Sequence, residues 1–315
     1  MAIALYAYRF QFQALEPVRF PPGSAANAFR GAFGHILRRI ACRAECETAR
    51  DCPWRAACAY ARLFEPGWRD GPSGFANAPR PFVIRAAALD GRRYSAGSDF
   101  RIDIHVFDVA EPVLEYLVLS FLELASEGIG AGRGRIALRR VHAVSASGNP
   151  GALVYDDGHG LEPEANTKIE LPLVATEGAP VRRVRIRLVT PTELKSGGEV
   201  LESLPFRAVF ARARDRVCTL ASLYSDPLAG LDYDFRALGR RAAGVETVST
   251  DLRWVSAQRR SSRTGEVHPL GGLVGEAQYA GELAEFMPIL RAAEWTGIGR
   301  QTVWGKGAIK VEPMA

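Results

Sequence analysis

The chain has no run of about 18 apolar residues, the length a helix needs to cross a bilayer. Its first ten residues, Met-Ala-Ile-Ala-Leu-Tyr-Ala-Tyr-Arg-Phe, hold neither a basic leader nor a cleavage site, so a cytoplasmic, non-secreted protein is expected. Cysteine is scarce and odd in number, five in all, which argues against a disulfide framework. No glycine run ends in Gly-Lys-Ser/Thr, so a P-loop is excluded. A Rossmann fingerprint is disfavoured too, because the glycine-rich stretch near the C-terminus lies between a helix and a strand rather than after a strand.

What is present suits a globular protein. The 315 residues are enough for two domains, and 47% hydrophobic with 24% charged residues is ordinary for a packed core. The net charge of +5 leans mildly toward anionic partners.

Residues 3–12 alternate as a strand. Ser24 is the expected N-cap of a helix reaching about residue 43. Phe29, Ala32, Phe33, Ile36, Leu37 and Ile40 recur at helical spacing and form its expected core face. His35 falls off that face, with Gly31 one turn before it and Arg38 and Arg39 one turn after. Residues 81–89 and 100–109 read as a strand pair, 111–126 as an apolar helix, and 136–144 as a strand after the glycine loop 128–134. The expected N-terminal domain covers 1–145 and carries a cysteine-rich insertion, 42–66. Residues 146–180 read as an irregular bridge.

From 181 to 315 the order recurs: a strand with alternating Arg183, Arg185 and Arg187, a helix over 205–224, paired strands 245–255 and 270–280, a helix over 282–294, a glycine loop and a last strand. Both halves thus read strand, helix, strand, strand, helix, strand, the split βαβ or ferredoxin-like order of an α+β fold. The recurrence is one of architecture, not of sequence.

The loop 297–307 packs four glycines into eleven residues beside Arg300 and Lys306. Two readings stay open: its N–H groups and cations face an anion, or it is a tight connection.

Phe29-Arg30-Gly31-Ala32-Phe33-Gly34, the cysteine excursion closing at Cys58–Pro66, the stretch Gly128–Gly134, Thr190-Pro-Thr-Glu-Leu-Lys195, Leu270–Gly275 and the terminal glycine loop occur in a telling order. Together they resemble the CRISPR-associated endoribonucleases that process precursor crRNA, within the RAMP superfamily. The resemblance implies two tandem ferredoxin-like domains. It also implies metal-independent cleavage of repeat RNA by the RNA's own 2′-hydroxyl, leaving 2′,3′-cyclic phosphate and 5′-hydroxyl ends. CRISPR repeat RNA, crRNA and effector-complex subunits are the implied partners, with no membrane. A non-catalytic crRNA-binding subunit of an effector complex is the alternative.

Such a reaction needs a proton-transfer group and fixed cations near the phosphate. His35 is the expected proton-transfer residue, with Arg38 and Arg39 holding the phosphate; the competing reading is a solvated helix face. His268, beside a basic loop, is the second candidate, while His105 reads as structural. Arg259, Arg260 and Arg263, with Gly297, Gly299, Arg300, Gly305, Lys306 and Gly307, are expected to contact RNA phosphates. The arginines of 182–187 either track RNA or face water. Trp254, Trp295 and Trp304 either stack bases or fill core.

Cys42, Cys46, Cys52 and Cys58 are spaced x3, x5 and x5. This is looser than a zinc ribbon, and a structural zinc, an iron–sulfur cluster and metal-free buried thiols all remain open. Cys218, alone in an apolar helix, reads as core.

Overall fold

A computed structural model describes residues 2–42, 46, 48–49, 52–67, 78–109, 113–175, 179–225, 234–260 and 267–314. The chain forms two compact units, residues 4–170 and residues 171–315 with 1–3. Among the described residues, no helix is long and apolar enough to cross a membrane.

The first unit runs β1 (Ala2–Ala14), β2 (Val18–Arg19), α1 (Ala25–Ala41), α2 (Ala59–Phe64), β3 (Phe82–Arg85), β4 (Arg93–Tyr94), β5 (Asp99–Val106), α3 (Leu114–Glu127), β6 (Ile136–Val144), β7 (Pro150–Asp156), β8 (Gly160–Leu161) and β9 (Ile169–Pro172). Its sheet has the order β3–β5–β1–β6–β7–β8, with β9 paired to β1. The β1–β5, β1–β6, β3–β5, β6–β7 and β7–β8 pairs are antiparallel.

Period-two alternation in β1 turns Tyr8, Phe10 and Phe12 to one side, where α1 and α3 cover them. Phe10 lies 4.8 Å from Phe121 between ring centres, Phe12 lies 5.7 Å from Phe29, and Phe33 lies 5.6 Å from Phe121. Burying each such ring contributes about 1.5–3 kcal/mol. This is what seats α1 on the sheet and turns its other side outward.

The second unit runs β10 (Arg183–Thr192), β11 (Lys195–Ser196), β12 (Glu199–Val200), α4 (Phe206–Leu220), α5 (Phe235–Ala243), β13 (Glu246–Val255), β14 (Gln258–Arg260), β15 (Val267–Pro269), β16 (Gly272–Ala280), α6 (Met287–Thr296) and β17 (Ile309–Met314). Its main sheet is antiparallel in the order β13–β16–β10–β17. Val184, Ile186 and Leu188 of β10 are buried, and Phe206, Phe210, Tyr279 and Phe286 form an aromatic cluster.

Several expectations change. Within residues 146–180, expected as an irregular bridge, β7 pairs with β6 and β8 with β7, so these strands extend the first sheet. Ser24 makes no side-chain cap; its hydroxyl donates to the Pro21 carbonyl at 2.7 Å. The first amide of α1, Ala25 N–H, instead donates to Asp90 Oδ1 at 2.9 Å, a partner 65 positions away. Ile40 is 40% exposed, past the edge of the core face.

Candidate nucleic-acid interface

The exposed side of α1 carries His35. Its 3.6-residue period puts Gly31, Arg38 and Arg39 beside it on one stripe, and all four are exposed. A Cβ added at Gly31 would meet nothing within 4 Å, so the surface next to His35 is open. Gly34, on the other side, is different: a Cβ there would come within 2.6 Å of the Phe64 ring.

The two arginines are not equivalent. Arg39 donates at 2.7 Å to both Glu123 and Glu127 of α3, and the Glu127 contact leads in raising its already high pKa. Two carboxylates offset the charge of this half-exposed guanidinium, so a phosphate would compete with them for it. Arg38 takes a different course along the helix surface. Its guanidinium sits 5.9 Å from the Tyr60 ring centre and reaches the Cys46 carbonyl at 3.4 Å.

In the cysteine excursion, the Cys42 thiol is within hydrogen-bonding reach of Cys58 and Cys46, and Cys46 of Cys52. Burial first, then the neighbouring sulfurs, pushes Cys42 up to about 12. Among the described residues, no group of three or more His, Cys, Asp or Glu side chains is assembled to hold a metal ion. Cys218 is buried in α4.

The C-terminal glycine loop answers the question left open about its amides. Gly297 ends α6 with φ 72°, and Ile298 is fully buried. The Ile298 N–H donates to Gly307 O at 2.9 Å, Arg300 N–H to Glu193 O at 3.1 Å, and Gly307 N–H to Pro191 O at 3.1 Å. The Ile298 bond closes the loop on itself and the other two fasten it to the end of β10, so these three amides meet carbonyls instead of an anion. A Cβ on Gly299 would sit 2.4 Å from Glu193 O, and one on Gly307 would sit 2.0 Å from Ile298 O. The Arg300 side chain pairs with Glu193 at 2.7 Å. Lys306 is only 3% exposed and presents no surface cation, contrary to its expected phosphate role.

The first unit repeats this latch. Gly128 ends α3 with φ 80°, and Ile129 is buried. Ile129 N–H donates to Gly134 O at 3.0 Å, and Ala131 N–H to Arg19 O at 2.8 Å. A Cβ on Gly130 would sit 2.5 Å from Arg19 O. Leu15 and Glu16 N–H both donate to Arg135 O, as Val189 and Thr190 N–H do to Ala308 O. Glu16 Oε2 accepts from Arg135 N–H and Thr190 Oγ1 from Ala308 N–H, each at 2.9 Å. The repeat is thus one of sequence as well at this point: Gly-Ile-Gly occurs twice, each facing a short segment that begins at Pro17 or Pro191. Reading the halves for architecture alone missed that correspondence.

In the basic stretch, the β14 and β15 backbones pair antiparallel and set Arg259 opposite His268 and Arg260 opposite Val267. Arg263 lies outside the described residues. On the open face of β10, Arg187 pairs with Glu312 at 2.6 Å and Arg185 approaches Glu276 at 3.4 Å, so these arginines are largely offset. Trp254 is 47% exposed rather than core, whereas Trp295 and Trp304 are half-buried. His105 is buried within the sheet.

Residues 3–167 match the family model described as the AF_1859_N N-terminal domain, and residues 186–309 match the model of the CRISPR-associated endoribonuclease Cas6. No curated protein matches the chain. Among solved structures, a Cas6 in a product complex is 18% identical with a TM-score of 0.54, over 99% of this chain and 100% of that one. A Thermus thermophilus Cas6 is 16% identical with a TM-score of 0.52, over 99% of both chains. Cas6 within a partial Cas6-RT-Cas1–Cas2 complex is 11% identical with a TM-score of 0.56, over 99% of this chain and 46% of that one. At these identities the likeness concerns the fold.

Proposed function

We propose that the chain is a CRISPR-associated endoribonuclease that binds CRISPR repeat RNA and cuts it without a metal ion, a reading supported by the match of residues 186–309 to the Cas6 family model. The 2′-hydroxyl forms a bond to its own phosphorus while the bond to the 5′-oxygen breaks, leaving a 2′,3′-cyclic phosphate and a 5′-hydroxyl. The 2′-hydroxyl is what restricts such chemistry to RNA. Each half, a βαββαβ succession with the four strands in one spatial order, reads as a ferredoxin-like domain, two in tandem.

The observation that carries the reading is His35 on an exposed helix stripe, with the bare Gly31 on one side and Arg38 on the other. His35 moves the proton, and Arg38 offsets charge growing on the phosphorane oxygens. Strand β14, holding Arg259 and Arg260, together with exposed Trp254, supplies backbone contacts and a stacking surface.

The test is incubation of a cognate repeat RNA with the protein in EDTA, with analysis of the product ends. Cyclic phosphate ends are expected, and His35→Ala slows cleavage by about 10²–10⁴-fold. Undiminished cleavage by that variant removes His35 from the chemistry. RNA bound but left whole by the wild-type protein favours a non-catalytic crRNA-binding subunit; the offset of Arg39 by two carboxylates is the observation on that side.

A further inference from the structure

The two latches differ in what buttresses them. In the second unit Glu193, 7% exposed, stands behind the loop and neutralises Arg300. At the matching place in the first unit stands Arg19, which is exposed. Its directly opposite partner in the β2–β4 ladder is Arg93, also exposed. Directly opposed residues share one face with Cβ atoms about 4.5–5.5 Å apart, and like charges there are unfavourable. Neither arginine has an ion pair or side-chain hydrogen bond among the described residues.

Several other arginines of the unit are paired instead. Arg9 pairs with Asp103, Arg139 with Asp157 and Arg140 with Asp156. Exposed Arg92 adjoins the pair in sequence. Arg133, 70% exposed, follows two residues after Ala131, whose amide binds the Arg19 carbonyl. Its carboxylate contact, Glu127 at 3.4 Å, is shared with Arg39 at 2.7 Å. Through Glu127 the patch adjoins the stripe of α1 that carries His35. Gly132 is exposed, and a Cβ there would meet nothing within 4 Å, so a ligand can approach the loop backbone closely.

We propose that Arg19 and Arg93, with Arg92 and Arg133 beside them, form a phosphate-binding surface of the first unit that holds the RNA backbone leading to His35. Guanidinium groups suit phosphate oxygens by their planar fork of donors, and an anion relieves the repulsion between the paired arginines. The inference rests on the ribonuclease reading, since it takes RNA as the polyanion.

The experiment compares wild-type protein, R19A/R93A and R236A/R240A, the last removing two exposed charges from α5. Binding of the repeat RNA is followed across salt concentrations, and cleavage is followed at limiting and saturating RNA. Each single-strand phosphate contact contributes about 0.7 to the salt slope. The slope for R19A/R93A is expected to fall by about 1.4, with weaker binding, a raised KM and an unchanged kcat. Its melting temperature should be no lower than wild type, because a repulsive pair is gone. R236A/R240A should keep the wild-type slope. An unchanged slope in R19A/R93A, or an equal fall in R236A/R240A, overturns the proposal. Wild-type protein that neither binds nor cuts the RNA overturns the ribonuclease reading instead, a result these variants do not mimic.

Discussion

The two glycine loops share one backbone solution and differ in their side chains. In both, a glycine of positive φ ends a helix, an isoleucine plugs the core, and a second glycine presses on a carbonyl of the chain leaving the first strand. Nothing in that scheme depends on charge. The first unit then sets Arg19 against Arg93, while the second sets Glu193 against Arg300. The latch thus recurs in both βαββαβ units whatever the nearby charge, and the glycines alone are no evidence for an anion site. Charge, varied on a constant frame, is where function enters.

The largest effects should come from filling the close approaches. Gly307→Ala and Gly130→Ala each put a Cβ against a carbonyl at positive φ and should cost at least ~2 kcal/mol, read as a shift in the urea unfolding midpoint. Gly132→Ala has positive φ but open space and should cost only about 1 kcal/mol. If Gly130→Ala proves as mild as Gly132→Ala, the equivalence of the loops is lost.

Next comes the acceptor for the strand that follows each loop. Thr190 is 5% exposed, so Thr190→Val leaves the buried Ala308 amide without its partner, at a cost of about 1–3 kcal/mol in the same measurement. Glu16→Ala removes the matching acceptor in the first unit, but water replaces it, and a much smaller change is expected.

The smallest effect separates the loops by pH. The Arg135 backbone N–H, and then its side chain, hold the Glu16 carboxyl below the ordinary carboxylate range. A lowered folded pKa means a contribution present above the ordinary range and lost as pH falls through the folded value. The Arg135 amide should therefore lose protection from hydrogen exchange in acid, after correction for intrinsic rates. The Ala308 amide, held by a hydroxyl that does not titrate, should keep its protection. Parallel loss at both amides would remove the distinction.

Much of the fold was legible from residue pattern. The strand 136–144 appears with the expected bounds, and Val184, Ile186 and Leu188 alternate inward against the outward arginines as their period-two spacing required. The strands β7 and β8 within residues 146–180 were not expected, because Gly, Pro and acidic residues obscure them and their stability comes from pairing, β7 with β6 and β8 with β7. In the candidate site, the position of His35 on the exposed stripe followed from helical periodicity. The state of the cations did not. Arg39 and Glu127 are 88 positions apart, and Arg300 and Glu193 are 107 apart, so no local pattern couples them. Arg19 and Arg93 went unnoticed for the same reason, though Arg92-Arg93 in a turn was a visible signal.

By itself the sequence determined the order of elements, the core faces and the places where only glycine fits. Those follow from side-chain period and backbone sterics, which act over a few residues. Only the tertiary structure decided which charges stand offset, which stand opposed, and whether a loop amide meets a carbonyl or open space. Coulomb and hydrogen-bond partners are chosen by proximity after folding, and proximity across a hundred residues is written in no short stretch of chain.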